Sequence, residues 1–447
     1  MRTPQKATKA KGMKIALFTD TYKPQINGVV TQIENTATAL AEMGNEILIV
    51  APATGLKFEV KEEKRATAPR SKGKRGGGSA GGTTVVCLPS IALPTYKDYR
   101  ITDLRSGRLN SELKKFKPEV VHVQTPFGIG VLGRRYGKRH RVPVIGTYHT
   151  HIPEFLMYLP LPLIRKTAPA KHLAWAYVRR FYNKCDIVTV PSNTMKRELE
   201  KKGIKHVRVL ANAIDFKRFN KFAKKKYALA RKGRTNKFAK KKYALSRTGK
   251  AKMIYFGRIG YEKNIEFLLF ALRELRARGV DAELTITGSG PALEKIKKTA
   301  HAEGLGKNVV FNAPMKSDAL AKHVAGHDFF VTASTIETQG LTIMESMATG
   351  LPCIGADCLA IPDSIKDGVN GFLFKPFDHA ELADKMEKLI HSEALREKMG
   401  KAALKTARAF TIEKIAKETE ALYKGALRRG NRAEEGHGAN VVHKRNV

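Results

Sequence analysis

The run Ser334 to Glu345 (STIETQGLTIME) carries two carboxylates, Glu337 and Glu345, around a predicted helix start that follows Thr338, Gln339 and Gly340. Backbone N–H groups at a helix start attract anionic oxygens, so Gln339, Gly340 and Leu341 are candidates to hold phosphate or sugar oxygens. Gly340, having no Cβ, lets a ligand approach the backbone. Glu337 is placed to face a sugar, and Glu345, further along the helix, to accept bonds from the two neighbouring hydroxyls of a nucleoside ribose. The plain alternative is an amphipathic helix with exposed acids, and the neighbouring runs weigh against it.

Upstream, GRIGYEKN supplies Arg258 and Lys263 just after a predicted strand. Loops at strand ends form the ligand crevice of parallel α/β sheets, and two cations there suit a diphosphate whose developing charge must be neutralised as it departs. In the first half, DTYKPQINGVV sets Asn27 and Gly28 between a strand and a helix, a second loop able to approach phosphates. TYHTH puts His149 and His151 at a strand end, where alternate side chains share one face and form either a polar acceptor site or a metal site. No further ligands lie at metal-binding spacing, so no metal or other cofactor is expected.

These residues need scaffolding, and the chain predicts it. Lys14 to Phe18 reads as a buried strand, Val29 to Met43 as a helix ending at Gly44, and Glu46 to Val50 as the next strand. Strands recur at Val120 to Val123, Val144 to Thr147 and Ile187 to Val190, so a parallel sheet wrapped by helices is expected over 13–212. Residues 1–12 read as a disordered basic extension, and the Gly- and Lys-rich stretch 61–84 as a flexible insertion. The alternation restarts at Met253, giving a second α/β domain over 251–405, a helix over 406–428 and a disordered tail over 429–447. Between the domains, 213–250 reads as a basic linker in which Asn220 to Leu229 (NKFAKKKYAL) recurs as Asn236 to Leu245. Each copy suits either a membrane-surface helix with Phe and Tyr on one side or a solvated charged linker.

At 447 residues the chain is long enough for two domains. Its 82 Lys and Arg against 41 acids give a formal net charge of +41 and predict attraction to a polyanion. The four cysteines show no metal-ligand spacing and fit a reduced cytoplasmic compartment. No segment approaches the roughly 20 apolar residues needed to span a bilayer, and Asp20 and Lys23 interrupt the run that begins at Met13, so no export signal is expected and any membrane contact is peripheral.

Taken together, FTDTYKPQINGVV, TYHTH, CDIVTVPS, ANAIDFKRF, GRIGYEKN and STIETQGLTIMESMATGLPCIGAD resemble, in order from about Met13 to Phe410, the retaining glycosyltransferases of family 4. The resemblance implies the GT-B architecture, two facing Rossmann-like domains with parallel sheets and an interdomain cleft that closes about a hinge near residue 212. It implies a hexosyltransferase that moves a sugar from a UDP- or GDP-linked donor to a hydroxyl, with retention and without a metal. Arg258 and Lys263 fall on the diphosphate, Glu337 on the sugar, Glu345 on the ribose and His149 beside the reacting sugar. It also favours front-face displacement, the leaving phosphate helping to deprotonate the acceptor. Ala213 and Ala313 stand where many relatives have glycine.

Within the family the DTYKPQINGV and TYHTHIPEFLMYLP stretches look most like diacylglycerol glucosyltransferases and phosphatidylinositol mannosyltransferases. A membrane glycerolipid is therefore the expected acceptor, with soluble glycans as the alternative. Arg165, Lys166, Lys171, Arg179 and Arg180 around Leu161, Leu163 and Trp175 form a candidate docking surface for anionic lipid, or a solvated basic helix. A nucleic-acid-binding protein is the rival prompted by charge, but no recognition module is found and no specific nucleic acid partner is expected. An epimerase or a glycan phosphorylase on the same architecture stays open, because fold does not settle reaction.

Overall fold

A computed structural model of the chain describes residues 12–25, 27–63, 81–93, 96–103, 107–149, 151, 167–223 and 251–442. Two compact units emerge: the first comprises Met1–Val190, Glu198–Leu210 and Ala416–Val447, the second Pro191–Arg197 and Ala211–Ile415.

The first unit carries strands β1 (Lys14–Phe18), β2 (Glu46–Pro52), β3 (Glu59–Glu63), β4 (Thr83–Leu88), β5 (Ser90–Leu93), β6 (Tyr96–Thr102), β7 (Val120–Val123), β8 (Val144–Thr147), β9 (Ile187–Val190) and β10 (Val207–Val209). Strands β5 and β6 pair with each other, and the rest form one sheet in the order β10-β9-β8-β7-β1-β2-β4-β3. Its neighbours run parallel except at the β3 edge. Strands β1, β7, β8 and β9 are buried almost throughout, which their unbroken apolar character requires of a sheet covered on both faces. After β1, Asn27 caps the helix Gly28–Glu42 by accepting the Val30 N–H at 3.0 Å.

In the second unit, β11 (Ala251–Arg258), β12 (Ala282–Ser289), β13 (Val309–Asn312), β14 (Phe329–Thr332), β15 (Cys353–Ala356) and β16 (Gly371–Phe374) form an all-parallel sheet in the order β13-β12-β11-β14-β15-β16. Counted along the chain this is the 3-2-1-4-5-6 order of doubly wound nucleotide-binding sheets, whose connections reverse direction at one point. Here the reversal lies between β11 and β14; in the first unit β4-β2-β1-β7-β8-β9 repeats the order, reversing between β1 and β7. The loops after those four strands are where such a sheet binds ligands.

Three sequence boundaries shift. The insertion 61–84 is shorter at both ends, since Glu62 and Glu63 pair with Thr84 and Thr83 in the antiparallel edge; a polar edge strand leaves no apolar signature. Residues 64–80 lie outside the described residues, as do 1–11 of the expected extension. The linker 213–250 begins too early: Ile214, Phe216 and Phe219 are buried in the core of the second unit, while 224–250, with most of the duplication, lie outside the described residues. The helix expected over 406–428 is a 3-10 turn, Arg408–Phe410, followed by a helix, Ile412–Val442. It runs on to Val442 within the expected disordered tail, because no proline stops it and glycine only weakens a helix, and 443–447 lie outside the described residues.

Candidate functional site

Strand β11 ends on Arg258, whose Nη1 donates to Glu262 Oε1 at 2.6 Å; the Glu262 side chain is only 3% exposed. A Cβ at Gly260 would come within 2.3 Å of Glu262 Oε2, so glycine leaves room for this carboxylate beneath the turn Tyr261–Lys263. Lys263 Nζ then donates to Glu337 Oε1 at 2.6 Å, with both side chains 18% exposed. The Lys263–Glu337 pair thus lies where the loops after β11 and β14 flank the reversal point, with Arg258 held by Glu262 at the end of β11.

Gly340 opens the helix Leu341–Ala348 with φ 79°, and a Cβ there would lie 2.8 Å from Ile343 Cδ1. Its carbonyl accepts the Ile343 and Met344 N–H groups at 3.0 and 3.2 Å. The side chain of Gln339 is taken up locally: Oε1 accepts the Asn212 N–H at 2.7 Å and Nε2 donates to the Asn212 carbonyl at 3.1 Å. Glu345 keeps some solvent contact, yet packing around its carboxyl pushes its pKa up to about 8; nearby Arg218 opposes the shift and Asp215 adds to it. Arg218 and Asp215 are themselves 3.0 Å apart.

In the first unit Gly28 is the first residue of its helix. The loops after β1 and β7 are held together by buried Asp20, which accepts from the Ile129 N–H at 2.7 Å and the Thr125 hydroxyl at 2.6 Å. Burial nevertheless raises the Asp20 pKa, these bonds opposing it. His149 follows β8, its Nε2 lying 2.7 Å from Gln124 Oε1, and burial pushes its pKa down to about 4, so the imidazole is neutral at pH 7. His151 instead packs edge-on against Trp175 and Tyr148, with ring centroids 5.5 and 6.5 Å away. The shared strand face expected for the two histidines is not formed, because β8 ends at Thr147. Among the described residues no group of three His, Cys, Asp or Glu is arranged to hold a metal ion. Behind His149, buried His122 lies 2.6 Å from the Tyr423 hydroxyl and 2.5 Å from Thr147 Oγ1, and burial takes its pKa down to about 3.

A family model described as Glycosyltransferase Family 4 matches residues 26–218, and one described as Glycosyl transferases group 1 matches residues 236–406. The chain is a family 4 glycosyltransferase. This hexosyltransferase is 28% identical over 402 residues to the sulfoquinovosyl transferase SQD2 of Arabidopsis thaliana, covering 88% of this chain and 70% of the relative. It is 26% identical to the alpha-monoglucosyldiacylglycerol synthase of Acholeplasma laidlawii over 94% of this chain and 99% of the relative. Among solved structures it resembles sucrose-phosphate synthase from Thermosynechococcus elongatus with a TM-score of 0.68 and 17% identity, covering 93% of this chain and all (100%) of the other. Anabaena HepE, crystallised with UDP and glucose, gives a TM-score of 0.64 at 16% identity, covering 92% of this chain and 100% of HepE. These likenesses establish the GT-B fold, built from two Rossmann-like α/β domains.

The sequence singles out Arg258, Lys263, Glu337 and Glu345 but not the residues beside them: Glu262, which binds Arg258, and Asn264 within GRIGYEKN, and Asp215 and Arg218, whose charges act on Glu345, within ANAIDFKRF. All four lie in quoted motifs, so the available signal was a polar side chain inside a motif without an assigned task. Of the candidate lipid-docking surface, Lys171, Arg179 and Arg180 are exposed on the helix Ala168–Tyr182, and Leu173 is 71% exposed. Leu161, Leu163, Arg165 and Lys166 lie outside the described residues. No described helix is long and apolar enough to cross a membrane.

Proposed function

We propose that this glycosyltransferase moves a hexose, with retention, from a UDP- or GDP-linked sugar to a hydroxyl of a membrane glycerolipid, diacylglycerol or a phospholipid headgroup. The observation that carries the donor half is the meeting of Lys263 with Glu337, beside Arg258, at the direction reversal of the second sheet. Arg258 and Lys263 neutralise the charge that grows on the leaving diphosphate, work that otherwise falls to a metal ion. Glu337 accepts from sugar hydroxyls, the N–H groups around Gly340 and Leu341 from the helix start take phosphate or sugar oxygens, and Glu345 takes the ribose. Gln339 contributes by fixing this loop against Asn212. In the first unit, Gly28 is assigned to the phosphates and neutral His149 to the reacting sugar, where it exchanges hydrogen bonds without adding charge.

Retention is supported by the α-product named for the Acholeplasma laidlawii relative. The lipid acceptor is supported by the diacylglycerol in the name of that same relative, and peripheral docking by the exposed Lys171, Arg179 and Arg180 on the helix that also exposes Leu173. The test is a panel of UDP- and GDP-linked sugars with total lipid extract or soluble glycans as acceptor, followed by mass and anomeric analysis of the product. A new α-glycolipid formed in EDTA is the expected result. Products on soluble glycans alone overturn the lipid reading, and β-linked products overturn retention.

A further inference from the structure

Between Lys263 and the helix Glu266–Ala277 sits Asn264, with φ 49°. Asparagine enters this left-handed region more readily than other residues with a Cβ. From there its Nδ2 reaches across to the exit of β14, donating to Thr335 Oγ1 at 3.1 Å and to the Ala333 carbonyl at 3.3 Å; the Glu262 carbonyl lies 3.4 Å away. The residue before Asn264 is Lys263, and two residues beyond Thr335 is Glu337, the two side chains that meet at 2.6 Å. Ser334, between the two acceptors, is fully buried, so the segment that Asn264 grips has little room to shift.

We propose that Asn264 is the positioning residue of the donor site: its side-chain amide staples the turn bearing Lys263 to the strand exit bearing Glu337, and so sets the spacing of the cation and carboxylate that receive diphosphate and sugar. The inference rests on the reading that these two side chains bind the donor. Apart from the Lys263–Glu337 pair itself, the Asn264 amide joins these loops by ending on a carbonyl and a hydroxyl of the other loop. A spacing error near 1 Å in such a pair is enough to weaken a ligand that both must contact.

Asn264→Gly keeps the left-handed turn and removes only the staple. Asn264→Ala removes the staple and strains the turn as well. Thr335→Val keeps Asn264 and its shape but deletes one acceptor. Nucleotide-sugar affinity is measured by calorimetry with the donor that the panel identifies, on the full chain, at a temperature where unfolding shows every variant folded. Two lost side-chain hydrogen bonds predict a donor Kd raised about tenfold in Asn264→Gly. Thr335→Val is expected to raise Kd about threefold alone and to add nothing in the Asn264→Gly background, because both changes cut the same bond. A glycine variant that binds donor within twofold of the parent overturns the proposal, as do independent, multiplying effects of the two substitutions. If the parent chain binds no nucleotide sugar at all, the failure lies with the donor-site reading itself.

Discussion

Lys263 Nζ lies 2.6 Å from Glu337 Oε1, so the two side chains assigned to different ends of the donor in the proposed function neutralise each other. Arg258 is matched in the same way by Glu262. On the proposed donor assignment, a diphosphate that draws Lys263 toward itself would release the Glu337 carboxylate to accept from sugar hydroxyls, and the site would exchange partners without being left with a bare buried charge.

Removing either member is therefore expected to disable turnover. Lys263→Ala and Glu337→Ala should each lower kcat/KM by about 100-fold or more, the scale for loss of one charge-stabilising group. Because the two side chains touch, the double variant should lose much less than the product of the single losses. Steady-state kinetics with the active donor checks this, and unchanged turnover in both single variants removes the assignment.

Glu345 predicts a pH dependence of stability. Its carboxyl titrates at about 8 when folded, against an ordinary value of 4.5. The folded chain therefore holds a proton that the unfolded chain has released, and this contribution to stability is present below pH 4.5 and lost as the pH rises through 8. Calorimetric melting of Glu345→Gln should fall less between pH 5 and 9 than that of the parent, both windows estimated at about these limits from the linkage. Equal slopes in the two proteins contradict the buried, protonated carboxyl.

Tyr423→Phe should weaken the first unit by about 1–3 kcal/mol, the cost of stranding a buried polar partner, here His122 Nδ1. Trp175, the only tryptophan in the chain, belongs to this unit, so its fluorescence reports the transition in urea. A midpoint unmoved by the substitution would show that the hydroxyl contributes nothing.

Gly340→Ala combines a left-handed φ with a Cβ placed 2.8 Å from Ile343 Cδ1, whereas Gly279, at φ 75°, has open space around it. Gly279→Ala should cost about 1–2 kcal/mol from backbone strain alone. Gly340→Ala should cost more and should also raise the donor KM, because the helix start moves. Similar melting temperatures for the two variants would refute the added clash.

The parallel sheets were legible in the sequence because runs such as KIALF and FFVTAS are apolar without alternation, the mark of strands buried on both faces. Arg258 and Lys263 carried no signal alone in so basic a chain and drew notice only through their place relative to Glu337, which Lys263 contacts in the fold. What stayed hidden was pairing. Nothing in spacing told that Glu262 would lie under Arg258, that Gln339 would bond to the Asn212 backbone, or that Asn264 would reach Thr335, because each contact joins loops brought together only by the strand order. His149 and His151 misled for the converse reason: strand alternation was carried past Thr147, where the strand ends.

The helix Ile412–Val442 gives the first unit a history in time. His122 leaves the ribosome 301 residues ahead of Tyr423, and at 5–20 residues per second that interval is about 15 to 60 s. Until Tyr423 and Ala426 are made, neither the hydroxyl that meets His122 nor their share of the apolar cluster is available to the first unit. An expression fragment of the first half would lack both, so producing the first unit alone calls for splicing residues from Ala416 onward to its end.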